Sequence, residues 1–297
     1  MDFMSTKEAV KKWNISERRI RKLLKDGRIT GAIKIGNSWS IPVNATKPVD
    51  KRSIKTEDNQ IEYAIDKTTL TEIEILKEKI KRININKNKI VLDWLYYANK
   101  LEGNTLSQDE INIVLNNITV AGKTIKEHQE IINYRNVIEY ITKSLNYEDK
   151  ITENHLITIH KLISKNIDNE NAGVYRTENI NIGKDYSLIP ELVKKQITNY
   201  NNSKEQIFIK SIILYSEILK ICPFKNNNQK IAHLLLNLIL LNNNYYPIFF
   251  TENYKKEYST FIEFAHSTGN YTNLINLILA IEKNILEEVS KTEGGEK

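Results

Sequence analysis

One cysteine in 297 residues, Cys222, leaves no partner for an internal disulfide and no thiol set for a Cys-based zinc site. Proline is nearly as scarce, at five residues, so helices can run long without interruption. Glycine occupies only ten positions, which excludes collagen-like and low-complexity classes. Long apolar runs are missing as well. The most apolar stretch, Ile231 to Leu241, is about half the ~20 residues that span a bilayer, so no membrane partner is expected. The start, Met1-Asp2-Phe3-Met4-Ser5, has no basic region leading into an apolar core, and no signal peptide is read. What remains is a chain 40% apolar and 27% charged, the balance of a soluble globular protein expected in the cytoplasm.

Charge is unevenly spread. Residues 1–55 hold 14 Lys/Arg against 5 Asp/Glu, while the rest holds 29 against 32. A basic end on a near-neutral body points to a nucleic-acid-binding segment. The 36 asparagines beside abundant Ile and Lys carry the imprint of an AT-rich genome, so an Asn at a given place can be drift.

Ser5 or Thr6 offers an N-cap oxygen, Glu8 a first-turn anion, and Ala9, Val10 and Trp13 an apolar spacing, which predicts a first helix. Ser16 caps a second, Glu17 to Asp26, closed by Gly27. In it Ile20, Leu23 and Leu24 face inward, with Arg18, Arg19, Arg21, Lys22 and Lys25 largely outward. Two β-branched runs then flank Gly36-Asn37, a hairpin signal. Two short helices and a hairpin read as a winged helix-turn-helix over residues 1–45, and the segment resembles excisionase/MerR-like DNA-binding domains. Ser16, Arg18, Arg19, Arg21, Lys22, Lys34 and Asn37 are the candidate DNA-binding residues. The alternative is a solvated basic face on a protein-interaction module. Residues 46–60 lack apolar periodicity, contain Pro48 and read as a linker.

Residues 61–290 are helical in pattern almost throughout. Amphipathic stretches run Thr69–Lys81, Lys89–Lys100, Ser107–Leu115, Ile125–Leu145, Thr152–Lys165, Ile189–Tyr200, Glu205–Ile221, Lys230–Leu241, Glu252–His266 and Tyr271–Ser290. One break alternates and turns at Gly183: Gly173 to Tyr186 predicts a short β-hairpin inserted in an all-α domain. His160, on the apolar face of its helix, reads as a core histidine. His128, His155 and His266 form no metal-ligand spacing.

Gly173-Val174-Tyr175-Arg176 resembles the GxYR segment of Fic domains, and the hairpin after it their target-binding flap (Ile180, Asn181, Ile182, Gly183). Cys222-Pro223-Phe224-Lys225-Asn226-Asn227-Asn228-Gln229-Lys230 stands where that family carries HPFx[DE]GNGR. The tail Leu234 to Pro247 is similar to the family's LLLNLLLLKxGYPP. Trp94 to Leu106 resembles the inhibitory-helix motif [ST]xxxE[GN], with Glu102 as its glutamate and Ala98 where that motif has Ser or Thr. The resemblance implies a mainly α fold: an all-α Fic-like domain with a β-hairpin flap, behind a small N-terminal winged helix-turn-helix. It also implies AMP transfer from ATP, with Mg2+, to a hydroxyl on a protein target.

That chemistry requires a general base, a carboxylate on Mg2+, glycines that let phosphate approach a helix N-terminus, and a cation for the outer phosphates. In the family's order those places fall on Cys222, Asn226, then Asn227, Asn228 and Gln229, then Lys230, with the second cation at His233. A thiol with an ordinary pKa near 8.5 is a poor base, and a neutral amide brings no charge to a metal. Side chains at the glycine positions narrow the cradle, and Lys lacks the planar fork of Arg. Losing the base alone typically costs ~10²–10⁴-fold. The expectation is therefore a DNA-binding regulator or scaffold with a degenerate Fic domain. The alternatives are a weak or altered nucleotidyltransferase, self-inhibited through Glu102 pairing with His233, and an antitoxin-like partner of another Fic protein.

Overall fold

The computed structural model describes residues 3–25, 29, 31–36, 38–43, 45, 47, 63–80, 87–100, 103–144 and 150–292. Its contacts divide the chain into two units, Met1–Asn59 and Gln60–Lys297.

In the first unit, helix α1 (Thr6–Trp13) opens on a capping box. The Ser5 Oγ accepts the Glu8 N–H at 3.3 Å, and Glu8 Oε2 accepts the Ser5 N–H at 2.7 Å. Asn14 closes it in the left-handed region, φ 51°. Ser16 Oγ accepts the Arg19 N–H and starts α2 (Glu17–Lys25), which buries Ile20, Leu23 and Leu24. The predicted hairpin is present as β2 (Ile33–Ile35) and β3 (Ser38–Pro42), antiparallel with Lys34 opposite Trp39. A strand that the sequence did not announce, β1 (Phe3–Met4), pairs with the other edge of β3, giving the order β1-β3-β2. Met4, Ala9, Trp13, Ile20, Leu23, Leu24, Ile29 and Ile41 form a core of their own. Arg18, Arg21, Lys22 and Lys34 are exposed and Arg19 is half-buried. Gly27, Asn37 and most of the linker lie outside the described residues.

The second unit is helical: α3 (Lys67–Ile80), α4 (Lys87–Lys100), α5 (Gln108–Leu115), α6 (Ile125–Ser144), α7 (Glu153–Ile163), α8 (Ile189–Asn202), α9 (Ile207–Ile221), α10 (Asn228–Asn242), α11 (Lys255–Thr268) and α12 (Thr272–Thr292). Each falls within a few residues of its periodic stretch. Every residue of α10 from Lys230 to Leu240 is buried, as an apolar-all-round helix must be to escape water. It packs against α9, and α3 clasps α12. Full burial of each Leu or Ile here contributes roughly 1.5–3 kcal/mol, so the axis α9–α10 is the rigid part that carries the loop between them. Among the described residues no helix is long and apolar enough to cross a membrane.

The predicted hairpin over Gly173 to Tyr186 is corrected by the structure: the segment contains turns and bends but no strand. Its carbonyls are taken by a side chain instead of by a facing strand. Arg176 donates from Nη1 to the Glu178 carbonyl at 2.8 Å and from Nη2 to that of Lys184.

Candidate active site

The loop joining α9 to α10 begins at Cys222, which ends α9 in the left-handed region at φ 49°, its N–H bonded to the Ile218 carbonyl at 3.1 Å. The thiol is 6% exposed and turned back onto its own helix, where Sγ donates to the Leu219 carbonyl. Burial raises its pKa, and the Arg176 charge offsets only part of that, so the thiol is the resting form. Phe224 is fully buried, stacked on His160 at 3.9 Å between ring centroids. Asn228, retained from the family pattern, closes the loop: its Oδ1 accepts the Phe224 N–H at 2.9 Å and its Nδ2 donates to the Phe224 carbonyl at 2.8 Å.

The neighbouring asparagines are bonded to groups outside the motif and to each other. Asn226 Nδ2 donates to Asp168 Oδ2 at 2.5 Å, and its Oδ1 accepts Asn227 Nδ2 at 3.0 Å. Asn227 itself sits at φ 58°, a conformation that glycine adopts at no steric cost, and reaches the buried Ser164 Oγ at 3.4 Å. Asp168 is held below the ordinary carboxylate range by Asn171 and Asn226, so it remains an anion. Lys230, in the first turn of α10, is 5% exposed and 3.8 Å from Glu130 Oε1 on α6. Gln229 is exposed beside it.

His160 is fully buried, as its apolar face predicted. Its Nδ1 accepts the Gly173 N–H at 2.9 Å, and burial lowers its pKa to about 4, with Asn226 and Asp168 pulling the other way. His233 does not meet its expectation. Its Nε2 donates to the Ile248 carbonyl at 2.7 Å, and burial lowers its pKa to about 4, so at neutral pH it is an uncharged ring bracing the turn after α10. Glu102 itself lies outside the described residues.

The segment before α8 is fastened onto this loop. Arg176, 5% exposed, donates from Nε to the Cys222 carbonyl at 2.8 Å, and its N–H reaches the Pro223 carbonyl at 3.0 Å. The Lys184 N–H bonds the Ile221 carbonyl at 3.1 Å. Gly183, at φ +93°, approaches so closely that a Cβ would lie 2.7 Å from that of Cys222. Asn181 and Ile182 remain exposed at the rim, with Ile180 half-buried. Asp168, Glu130 and the guanidinium bonds of Arg176 were absent from the sequence reading of the site. Nothing local distinguishes Asp168 within its polar run or Glu130 on a charged helix face.

Residues 150–240 match the model of the Fic/DOC family. The chain is 27% identical over 183 residues to protein adenylyltransferase fic-1 of Caenorhabditis elegans, covering 58% of this chain and 36% of that protein. It is 23% identical over 237 residues to protein adenylyltransferase Fic of Nematostella vectensis, covering 74% and 56%. It therefore spans from about a third to somewhat over half of these relatives' length. Its fold is that of the solved C. elegans Fic-1 fragment, with a TM-score of 0.68 at 20% identity over 76% of this chain and 71% of that one. A Fic family protein from Desulfovibrio desulfuricans gives 0.67 at 19% identity over 79% and 78%.

The relatives' adenylyl transfer implies ATP with a divalent metal, and the residues here fit that pair poorly. Both polar ends of the Asn226 amide are engaged, and its neutral oxygen brings no charge to a metal. The thiol faces its own helix, and the cation is spent on a carboxylate.

Proposed function

We propose that this chain is a DNA-binding protein whose Fic domain acts as a regulatory or scaffolding module without efficient AMP transfer. The observation that carries the reading is the state of the motif loop. Asn226, Asn227 and Asn228 are bonded to Asp168, Ser164, Phe224 and one another. The remaining catalytic position is a buried thiol. General-base and anion-cradle losses of ~10²–10⁴ and ~10²–10³ leave little of an enzymatic rate, even where they overlap. DNA is the partner of the first unit, whose Arg18, Arg21, Lys22 and Lys34 are exposed on α2 and β2; a protein target at the exposed Ile182 rim is the second.

The alternative, weak or altered AMP transfer using ATP and Mg2+, draws on the relatives' activity. Full-length protein incubated with labelled ATP and Mg2+, beside the quintuple restoration Cys222→His, Asn226→Asp, Asn227→Gly, Gln229→Gly and Lys230→Arg, separates the two. Label on the restored chain alone is the expected result. Equal labelling of the unaltered chain overturns the degenerate reading.

A further inference from the structure

We propose that the cleft between the start of α3 and the start of α9 is a binding site for a small zwitterion with an apolar body, the chemistry of a free apolar amino acid or a short peptide. The cleft lies at the N-terminal end of α9, whose fifteen residues put roughly 20 Å between it and the loop at Cys222 to Lys230. It is independent of the candidate active site, and so is its test.

The cavity measures about 540 Å³, within the roughly 300–1,000 Å³ of pockets that hold small molecules. Ile65, Leu70 and Ile209 give it an apolar lining. Its walls are preformed. Asn276 on α12 holds the chain that leads into α3 by both ends of its amide: Oδ1 accepts the Asp66 N–H at 3.0 Å, and Nδ2 donates to the Ala64 carbonyl at 3.1 Å. Tyr63 sets its ring edge-on to Tyr271, with centroids 6.0 Å apart. On the other wall, Ser203 Oγ accepts the Glu205 N–H at 3.2 Å just before α9 begins. A site whose walls are already ordered spends little of a ligand's binding energy on ordering them.

Three charged side chains line the cleft, and they are not equivalent. Glu74 is already committed: its Oε2 lies 2.9 Å from Lys77 Nζ, and its Oε1 accepts the Tyr245 hydroxyl. Lys67 and Glu205 are exposed, and among the described residues neither forms an ion pair, with the other or with any third group. Opposite charges that share one cleft without touching leave room for a ligand that satisfies both, with its carboxylate at Lys67 and its ammonium at Glu205. The surroundings of Tyr63 support the second half of that assignment. Burial, and after it the Glu205 and Glu217 carboxylates, raise the Tyr63 pKa, so its hydroxyl stays neutral in a region of negative potential. An ammonium there is drawn both by the carboxylate and by the face of the ring.

The test is an NMR titration of the full chain with leucyl-leucine, beside leucine, leucyl-leucine amide and N-acetyl-leucyl-leucine. Saturable binding of a zwitterion, with the amide and the acetylated form about threefold to tenfold weaker, is the expected result. Leucine matching the dipeptide supports the site and makes the free amino acid its occupant; leucine binding more weakly supports it with the peptide as occupant. Glu205→Gln should remove the advantage of the zwitterion over the acetylated form, and Lys67→Met its advantage over the amide. Thr71→Trp, at an exposed position of α3 on the cleft, should fill the cavity and abolish binding. No saturable binding of either zwitterion overturns the proposal. So does binding that is indifferent to the two terminal charges, or binding that survives Thr71→Trp in a folded protein.

Discussion

Arg18 and Lys22 of the first unit stand in solvent, whereas Arg176 and Lys230 of the second are each 5% exposed and bonded to the chain itself. The difference is one of available charge. A cation free of internal partners can release counterions from a polyanion. One that holds carbonyls or a carboxylate contributes to the fold, and must first give up those bonds to take a ligand. The two units thus hold the same residue types in opposite states: one leaves its charge in solvent, the other uses it to brace the loop between α9 and α10.

The largest break in that comparison comes from Arg176→Ala. It strips donors from the carbonyls of Cys222, Glu178, Lys184 and Ile221 at once. The Ile221 carbonyl keeps the Lys184 N–H, and the other three acceptors left unpaired each cost about 1 kcal/mol or more, so a loss of about 3–4 kcal/mol is expected in denaturant unfolding, with Arg176→Lys recovering only part. A loss below about 1 kcal/mol would mean that these carbonyls find water and that the guanidinium is no brace.

Smaller, and of opposite sign, is Glu282→Gln. Glu282 on α12 is fully buried, with Oε1 accepting the Tyr246 N–H at 2.9 Å and Oε2 without a hydrogen-bond partner among the described residues. It faces Lys77 and Glu74 of α3, with Tyr245 donating to Glu74 nearby. Burial raises its pKa from 4.5 to about 8. Between those values the native state holds a proton that the unfolded chain has lost, so stability falls as pH rises from about 4.5 to 8 and then levels. The Gln variant should remove that slope, gaining roughly 2–3 kcal/mol at about pH 7.5 relative to the gain at about pH 4.5, read from melts across pH. Parallel pH profiles would place a counter-charge on Glu282.

Much of this architecture is written in periodicity. The apolar spacing located each helix of the second unit, and His160 was legible as core because it lies among Leu156, Ile159 and Ile163. The hairpin at Gly173 to Tyr186 misled because alternation and a turn glycine say where a chain can pair, not what takes its carbonyls; here a guanidinium does. Strand β1 was invisible, since two residues carry no pattern and only the edge of β3 gives them a partner. The loop's losses, Cys222 for a base and Asn226 for an acid, could be read directly. The groups that these side chains bond could not. Asp168 lies 58 positions from Asn226, and Glu130 looks like any helix-surface glutamate with a lysine four residues before it.

The smallest expected effects belong to the first unit, where Arg18, Arg21 and Lys22 are exposed. Arg18→Ala with Lys22→Ala should weaken binding of the full chain to duplex DNA about tenfold. It should also flatten the dependence of log affinity on log salt by about two, since every phosphate left unneutralised keeps its counterions in place. Glu17→Ala sharpens the contrast. Arg21 is exposed yet half committed: Glu17 Oε1 holds its Nη2 at 2.8 Å and also takes the Thr6 hydroxyl at 3.3 Å. Those bonds keep the Glu17 pKa below its usual value, so the carboxylate stays charged and competes with phosphate at neutral pH. Its removal releases Arg21 and deletes a negative charge from the basic face, so DNA affinity should rise a few-fold and the salt slope steepen by about one. The second unit supplies the control, because Lys230→Met should leave the slope unchanged. A salt slope that ignores Glu17→Ala would mean that Arg21 never reaches a phosphate, and that the basic face of α2 works through Arg18 and Lys22 alone.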